Sequence, residues 1–139
     1  MKVCILGNNL TSLTLAKTLI NMGLYVDVFS KDNKENHDKL RTIGISTSNL
    51  NFFNKNILNI ENLTWNINKI EIFSQNLDDK KILNFEKENQ NLFYIFKNYK
   101  LIENLKNNLK KDKLINFKKK ISYDDLTKKN YKLIFNCES

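Results

Sequence analysis

Two short apolar runs with a helical pattern between them occupy the first thirty residues and constrain the fold more than any other feature. Residues 2–6 and 25–29 have the apolar character of buried parallel strands. Between them, apolar side chains recur at the spacing of one helix face: Leu10, Leu13, Ala16, Leu19 and Ile20. The pattern predicts a strand, a tight turn, a helix and a second strand. This order is a βαβ unit, so we expect an α/β fold.

The turn before the helix, residues 7–12, lies where a dinucleotide-binding βαβ unit holds a pyrophosphate. The free N–H groups and the positive end of the helix dipole point at the anion there. The usual pattern is G-x-G-x-x-G, with an acidic residue about twenty positions later that bonds the ribose. This chain keeps Gly7 and has Asn9, Ser12 and Ser30 at the other three positions. Two interpretations stay open: a nucleotide site, or a unit that keeps the geometry and binds nothing.

Each of the three replacements weakens the pattern to a different degree. Asn9 tolerates unusual backbone angles but brings a side chain to the place where the backbone approaches the pyrophosphate. Ser12 is small, so the helix can still pack closely on the strand. The Ser30 hydroxyl can bond a ribose, though less strongly than a carboxylate does. Gly7, Asn9, Ser12 and Ser30 are therefore the candidate cofactor contacts of the βαβ unit.

The formal charge of +8 suggests an anionic partner, but the composition explains it differently. Of the 23 basic residues 22 are lysine, and the chain has 24 asparagines. Both residues have A-rich codons, so we expect an AT-rich genome. The lysine-rich stretches are separated by carboxylates and apolar residues and form no stripe with interleaved aromatic residues. We therefore interpret them as a solvated face and expect no nucleic-acid partner.

The same codon argument draws attention to Arg41, the one arginine of the chain. A planar guanidinium holds a phosphate through two parallel hydrogen bonds, which an ammonium group cannot do. Arg41 is therefore a candidate cofactor contact. The alternative, an ordinary surface arginine, is left open by the residues alone.

Length and hydropathy predict one cytosolic domain over residues 1–139. The chain is long enough for a single core, and no apolar stretch approaches the length of a membrane span. The N-terminus enters a strand directly and does not resemble a signal peptide. Cys4 and Cys137 lack metal-type spacing, so we expect two small core residues without a disulfide and no metal site.

The rest of the chain alternates short strands and helices, with a small antiparallel sheet inserted after the βαβ unit. We predict a strand at 43–45, a capped helix at 48–53, a hairpin of 67–74 with 81–85, a strand at 92–96, a helix at 99–110, and strands at 114–117 and 131–135. Five large apolar residues are expected to form the core of the hairpin: Trp65, Ile70, Ile72, Phe73 and Phe85.

This order of elements resembles the N-terminal half of the flavin-dependent aromatic hydroxylases, which include p-hydroxybenzoate hydroxylase and the ubiquinone-pathway hydroxylases. The resemblance covers essentially the whole chain, as an arrangement more than as strong motifs. It rests on residues 3–13, 23–29 and 41–46, the hairpin, Asn98 and Leu101 opening a helix with Leu105 and Leu109, and the strand at 131–136.

The resemblance implies a Rossmann-like FAD/NAD(P)-binding fold in which the arginine after the second strand, here Arg41, contacts FAD. It also implies NADPH as a co-substrate and a place in a flavoprotein monooxygenase, with a ubiquinone-pathway role as one form. The family's Asp-Gly motif after the last strand is replaced by residues 137–139, and its second flavin motif and substrate sheet are missing. The chain is then a fragment of a longer hydroxylase or a shortened relative that acts as a non-catalytic scaffold. No residue is a candidate nucleophile or general base.

Overall fold

The computed structural model describes residues 1–30, 39–75, 80–86, 90–119, 121–122, 125–126 and 129–138. Its elements, in chain order, are β1 Lys2–Leu6, α1 Leu10–Asn21, β2 Tyr25–Ser30, β3 Thr42–Ser46, α2 Thr47–Asn56, a short 3-10 helix Glu61–Leu63, β4 Trp65–Ile67, β5 Lys69–Phe73, β6 Lys81–Glu86, β7 Phe93–Lys97, α3 Asn98–Leu109, β8 Ile115–Lys119 and β9 Leu133–Asn136.

Four of the strands form a parallel sheet in the order β8-β2-β1-β9. The first βαβ unit lies at its centre, with Val3 opposite Val26 and Leu6 opposite Phe29. The predicted strand, helix and strand are confirmed, and so is the α/β class. The alternation of side chains along β1 and β2 gives the sheet two different faces.

The main core lies on the face covered by α1 and α3. From the sheet, Val3, Ile5, Val26 and Val28 are buried on this face. The helices contribute an apolar stripe whose fully or almost fully buried members include Leu13, Ala16, Leu101, Ile102, Leu105 and Leu109. Periodicity in both helices therefore predicted the packed side, and the observed α3 starts one residue before the predicted helix.

The other face carries a smaller cluster. Cys4, Phe29 and Leu126 are buried there, and Tyr131 packs against them. Asp27 lies on the same face and is fully buried. Both cysteines are free, and burial together with the charge of Asp27 raises the pKa of the Cys4 thiol to about 11. Cys4 is thus an inert core residue.

A second sheet, antiparallel in the order β3-β7-β4, joins the βαβ unit to α3. Its register places Thr42 opposite Lys97, and the backbone N–H of Asn98 donates to the carbonyl of Arg41 at 3.0 Å. Arg41 therefore lies next to the first residue of α3. The helix that follows β3 begins earlier than predicted, because Ser46 caps it by accepting from the N–H of Asn49 at 3.2 Å.

The hairpin is present, but its predicted core is not. Within the described ranges, strands β5 and β6 pair with each other and with no further strand. Trp65 belongs to β4 in the other sheet. The side chains of Trp65, Ile72, Phe73 and Phe85 are 47%, 42%, 54% and 49% exposed. The prediction was wrong because a two-stranded ribbon needs an outside partner to bury its apolar side chains.

No helix among the described residues is long and apolar enough to cross a membrane.

Candidate functional site

The turn between β1 and α1 is held by the end of β9. Gly7 has φ +120, a backbone conformation that favours glycine. A β-carbon at this position would lie 3.0 Å from the carbonyl oxygen of Cys137, so the space is closed to larger residues as well. The N–H of Gly7 donates to the carbonyl of Phe29 at 2.7 Å. The first glycine of the pattern is thus needed for the approach of the strands around the turn.

Asn9 takes a structural position that the glycine pattern does not reveal. Its backbone is extended (φ -93, ψ 179), and its Oδ1 caps α1 by accepting from the N–H of Ser12 at 3.0 Å. Its Nδ2 donates to the carbonyl of Cys137 at 2.6 Å. The Asn9 side chain therefore ties the start of α1 to the end of β9.

Ser12 faces inwards. Its side chain is fully buried, and its Oγ donates to the carbonyl of Asn9 at 2.8 Å. A small residue here lets α1 pack closely on the sheet, as a glycine would. Ser12 thus stabilises the turn from its buried side, and its hydroxyl is bound to the carbonyl of Asn9.

A cavity of about 360 Å³ opens at the N-terminus of α1. Three elements meet there: the first turn of α1, the start of β3 and the first turn of α3. The lining residues are Asn9, Leu10, Thr11, Arg41, Ile43, Asn98 and Ile102. Two predicted contacts, Asn9 and Arg41, distant in sequence, are brought together at this cavity.

The cavity has the polarity that an anion with hydroxyl groups requires. The N–H groups of Leu10 and Thr11 have no hydrogen-bond partner among the described residues, and no acidic residue lies in the first turn of α1. Arg41 is exposed and forms no ion pair within the described part of the chain. The buried Oδ1 of Asn98 also lacks a donor there. Donors for an anion and an acceptor for a hydroxyl thus converge.

Of the five predicted contacts, Gly7, Ser12 and Ser30 do not line this cavity. Ser30 is the one of these three that lies outside the turn before α1. It ends β2, is half-buried, and lies opposite Lys119 in the sheet. The site prediction missed five lining residues: Leu10, Thr11, Ile43, Ile102 and Asn98. Asn98 is the one of them whose buried side-chain oxygen lacks a donor among the described residues. The sequence carried one signal for it, since a predicted strand leads directly into a helix at this position. The pairing of β3 with β7, which puts Asn98 beside Arg41, was not visible in the sequence.

The fold is that of an α/β protein with a Rossmann-like βαβ unit and an inserted antiparallel sheet. No protein-family model and no curated protein matches the chain. Several solved structures, however, have a similar fold. Among them are p-nitrophenol 4-monooxygenase PnpA from Pseudomonas putida DLL-E4 (TM-score 0.69, 11% identity), PqsL, described as a probable FAD-dependent monooxygenase from Pseudomonas aeruginosa (0.68, 13%), and 2,6-dihydroxypyridine-3-hydroxylase from Arthrobacter nicotinovorans (0.59, 14%).

These three alignments cover 84%, 86% and 84% of this chain, but 31%, 32% and 28% of the neighbouring chains. The chain therefore spans about a third of the length of the enzymes that it resembles. At these identities the likeness concerns the fold, and in that respect the resemblance to flavin-dependent hydroxylases is confirmed.

Proposed function

We propose that the chain is the FAD-binding unit of a flavoprotein monooxygenase-type oxidoreductase. The observation that carries the proposal is the cavity at the N-terminus of α1. It combines the exposed guanidinium of Arg41 with N–H groups of α1 and an Oδ1 of Asn98 that have no hydrogen-bond partner among the described residues. The fold shared with proteins described as monooxygenases supports the same cofactor.

The residues suit the separate parts of a dinucleotide. The N–H groups of Leu10 and Thr11 would hold the pyrophosphate, because the helix dipole favours an anion there. Arg41 would add a two-bonded contact to the same group. The Oδ1 of Asn98 would accept from a hydroxyl of the sugar or ribityl chain, and Ser30 would bond the ribose from the end of β2. When bound, FAD would supply the redox chemistry, while the protein supplies binding and orientation.

The finer parts of the proposal rest on the resemblance alone. They are NADPH as the reductant of the flavin, an aromatic substrate and a ubiquinone-pathway role. A cytoplasmic location is proposed from the hydropathy of the sequence and not from the resemblance. The chain spans about a third of the length of the neighbouring enzymes, so the substrate and the complete reaction are proposals that this chain alone does not carry.

A direct test is to purify the chain, record its flavin absorbance, and titrate it with FAD. We expect saturable binding at or below tens of micromolar FAD. Calorimetry with ADP would show whether the pyrophosphate half alone is held. If the purified chain contains no flavin and shows no saturable binding of FAD, the proposal is wrong.

Arg41→Lys is the most discriminating variant, because it keeps the positive charge and removes the planar guanidinium that can form two parallel hydrogen bonds. A charge-assisted hydrogen bond contributes roughly 1.5–3 kcal/mol, so FAD affinity should fall about tenfold or more. The melting temperature of the protein without FAD should hardly change, since Arg41 is exposed. Lys55→Gln, at the end of α2, is the matched control and should leave FAD affinity unchanged. Unchanged affinity with lowered stability would identify Arg41 as a structural residue.

A second candidate function is a non-catalytic scaffold with a degenerate nucleotide-binding fold. Asn9 favours it, because its side chain already occupies the cap and bonds the carbonyl of Cys137. The same FAD titration separates the two functions. If the chain folds and binds neither FAD nor ADP, the scaffold is the function that remains.

A further inference from the structure

A fully buried aspartate organises the face of the parallel sheet that lies opposite the helices. One oxygen of Asp27, Oδ2, accepts from the Nζ of Lys118 at 2.6 Å, the hydroxyl of Tyr131 at 2.5 Å and the Nζ of Lys2 at 3.0 Å. The other, Oδ1, accepts from the Nδ2 of Asn116 at 3.3 Å. Burial would raise the pKa of Asp27, but the hydrogen bonds lower it to about 2. Asp27 is therefore ionised at neutral pH.

One carboxylate does not neutralise the cations around it. Lys2 and Lys118 share the single charge of Asp27, and a third lysine, Lys129, lies with its Nζ 5.3 Å from the centroid of the Phe29 ring. Lys118 is 5.8 Å from that same centroid. Within the part of the chain that the structure describes, Lys129 has no carboxylate partner. Counted over the described residues, three ammonium groups against one carboxylate leave a local charge of about +2.

These side chains surround a cavity. It measures about 320 Å³ and is lined by Lys2, Lys118, Lys129, Asn130 and Tyr131. The ring of Tyr131, one of these lining residues, packs edge to face against the Phe29 ring at a centroid distance of 6.4 Å. Burial and the hydrogen bond to Asp27 both raise the pKa of Tyr131, so its hydroxyl keeps its proton and stays bound to Asp27. Two residues that line the cavity, Lys129 and Asn130, are not among the described contacts of Asp27.

We propose that this cavity is a binding site for a phosphate group, carried either by inorganic phosphate or by a small phosphate monoester. Asp27 holds Lys2 and Lys118 in place, and Lys129 and Asn130 supply the free donors. A dianion matches the excess charge of the cluster, and it replaces water around ammonium groups that lie close together. The site lies on the other face of the sheet from the α1 cavity and does not depend on the proposed FAD site.

The charge of the cavity argues against cations and neutral ligands. A cation would meet three ammonium groups and could reach only an aspartate whose four hydrogen-bonding contacts are already made. A neutral ligand would leave the excess charge uncompensated. Lysine is a common phosphate ligand that acts as a point charge, and this suits a site that several ammonium groups approach from different strands.

The test is a titration of the full chain with inorganic phosphate and, separately, with glycerol 3-phosphate, followed by backbone amide NMR shifts at constant chloride. We expect saturable shifts that centre on residues 129–131 and weaken as salt is raised. Lys129→Gln should lower the affinity about tenfold, the loss expected for one charge-assisted contact. Lys55→Gln, which removes the same charge elsewhere, should not lower it. Tighter binding of the ester would identify a phosphate monoester site, and equal binding a site for the phosphate group alone.

Three results would overturn the proposal. They are the absence of saturable shifts at about ten millimolar ligand, equal losses in Lys129→Gln and Lys55→Gln, or shifts that centre on Leu10 and Thr11. The last result would place the anion at the α1 cavity and would support the FAD proposal instead. Conversely, Arg41→Lys should leave phosphate binding at residues 129–131 intact. The two proposals therefore fail separately.

Discussion

The two faces of the parallel sheet are built on different principles. On the helix side, Val3, Ile5, Val26 and Val28 are covered by α1 and α3, and this face is apolar. On the other side, at the same depth, Asp27 gathers two lysines, a tyrosine and an asparagine. Apolar packing is tolerant of detail because it is not directional. A buried charge instead needs each of its partners in place.

The difference shows that one face contributes most of the folding stability and that the other determines which strands pair with β2. Any set of well-packed apolar residues would hold α1 and α3 on the sheet. The Asp27 cluster fixes which strands neighbour β2, because Lys2 comes from β1 and Lys118 from β8, its two partners in the sheet. We therefore expect large but generic losses on the helix face, and smaller, pH-dependent losses on the other.

The largest effect is expected for Leu105→Ala. Leu105 is fully buried between α3 and the sheet, and truncating such a residue costs about 2–5 kcal/mol of unfolding free energy. Leu133→Ala is the matched control, since Leu133 is 46% exposed on the edge strand β9. Urea unfolding of both variants gives the comparison. Equal losses would contradict the description of the helix face as the main core.

The helix face could be predicted from the sequence, because periodicity in residues 10–20 and 101–109 is local information. The same reasoning failed for the hairpin. Ile72 and Phe85 are apolar in a strand pattern, yet they are half-exposed, because periodicity shows which residues share a face but not whether anything covers that face.

Asp27 is the clearest limit of local reasoning. It stands inside an apolar run, and its partners Lys118 and Tyr131 are 91 and 104 residues away. At the candidate site, the turn and Arg41 could be predicted from residue type. Asn98 could not be placed there, because its position depends on the register of β3 with β7. Long-range pairing separates what was predicted from what was not.

Asp27→Asn should give the next largest effect. The substitution keeps the shape but removes the charge that Lys2 and Lys118 share, and charge-assisted hydrogen bonds contribute about 1.5–3 kcal/mol. We expect a loss of this size in urea unfolding. Glu103→Gln, on the exposed side of α3, is the control and should change little. An Asp27→Asn variant with the same unfolding free energy as the wild type would show that the second face does not depend on the charge of Asp27.

Acid should weaken the Asp27 face before it weakens apolar packing. The pKa of Asp27 is lowered from 3.8 to about 2 in the folded protein, so its contribution is complete above about pH 5 and is lost as pH falls towards 2. This shift corresponds to about 2 kcal/mol. Unfolding measured between pH 7 and 2 should show a loss of this size in the difference between the wild type and Asp27→Asn. Parallel pH profiles would assign the acid sensitivity to other carboxylates.

The smallest effect is expected for Lys2→Gln, and it sharpens the account of the second face. The Lys2 side chain is 47% exposed and lies 3.0 Å from Oδ2, against 36% and 2.6 Å for Lys118. A partly exposed ion pair contributes at most about 1 kcal/mol, and Asp27 would keep Lys118 and Tyr131 as donors. Unfolding of Lys2→Gln and Lys118→Gln side by side should therefore show the larger loss for Lys118. The reverse order would mean that the strand pair β1 and β2, not β2 and β8, depends most on the buried charge.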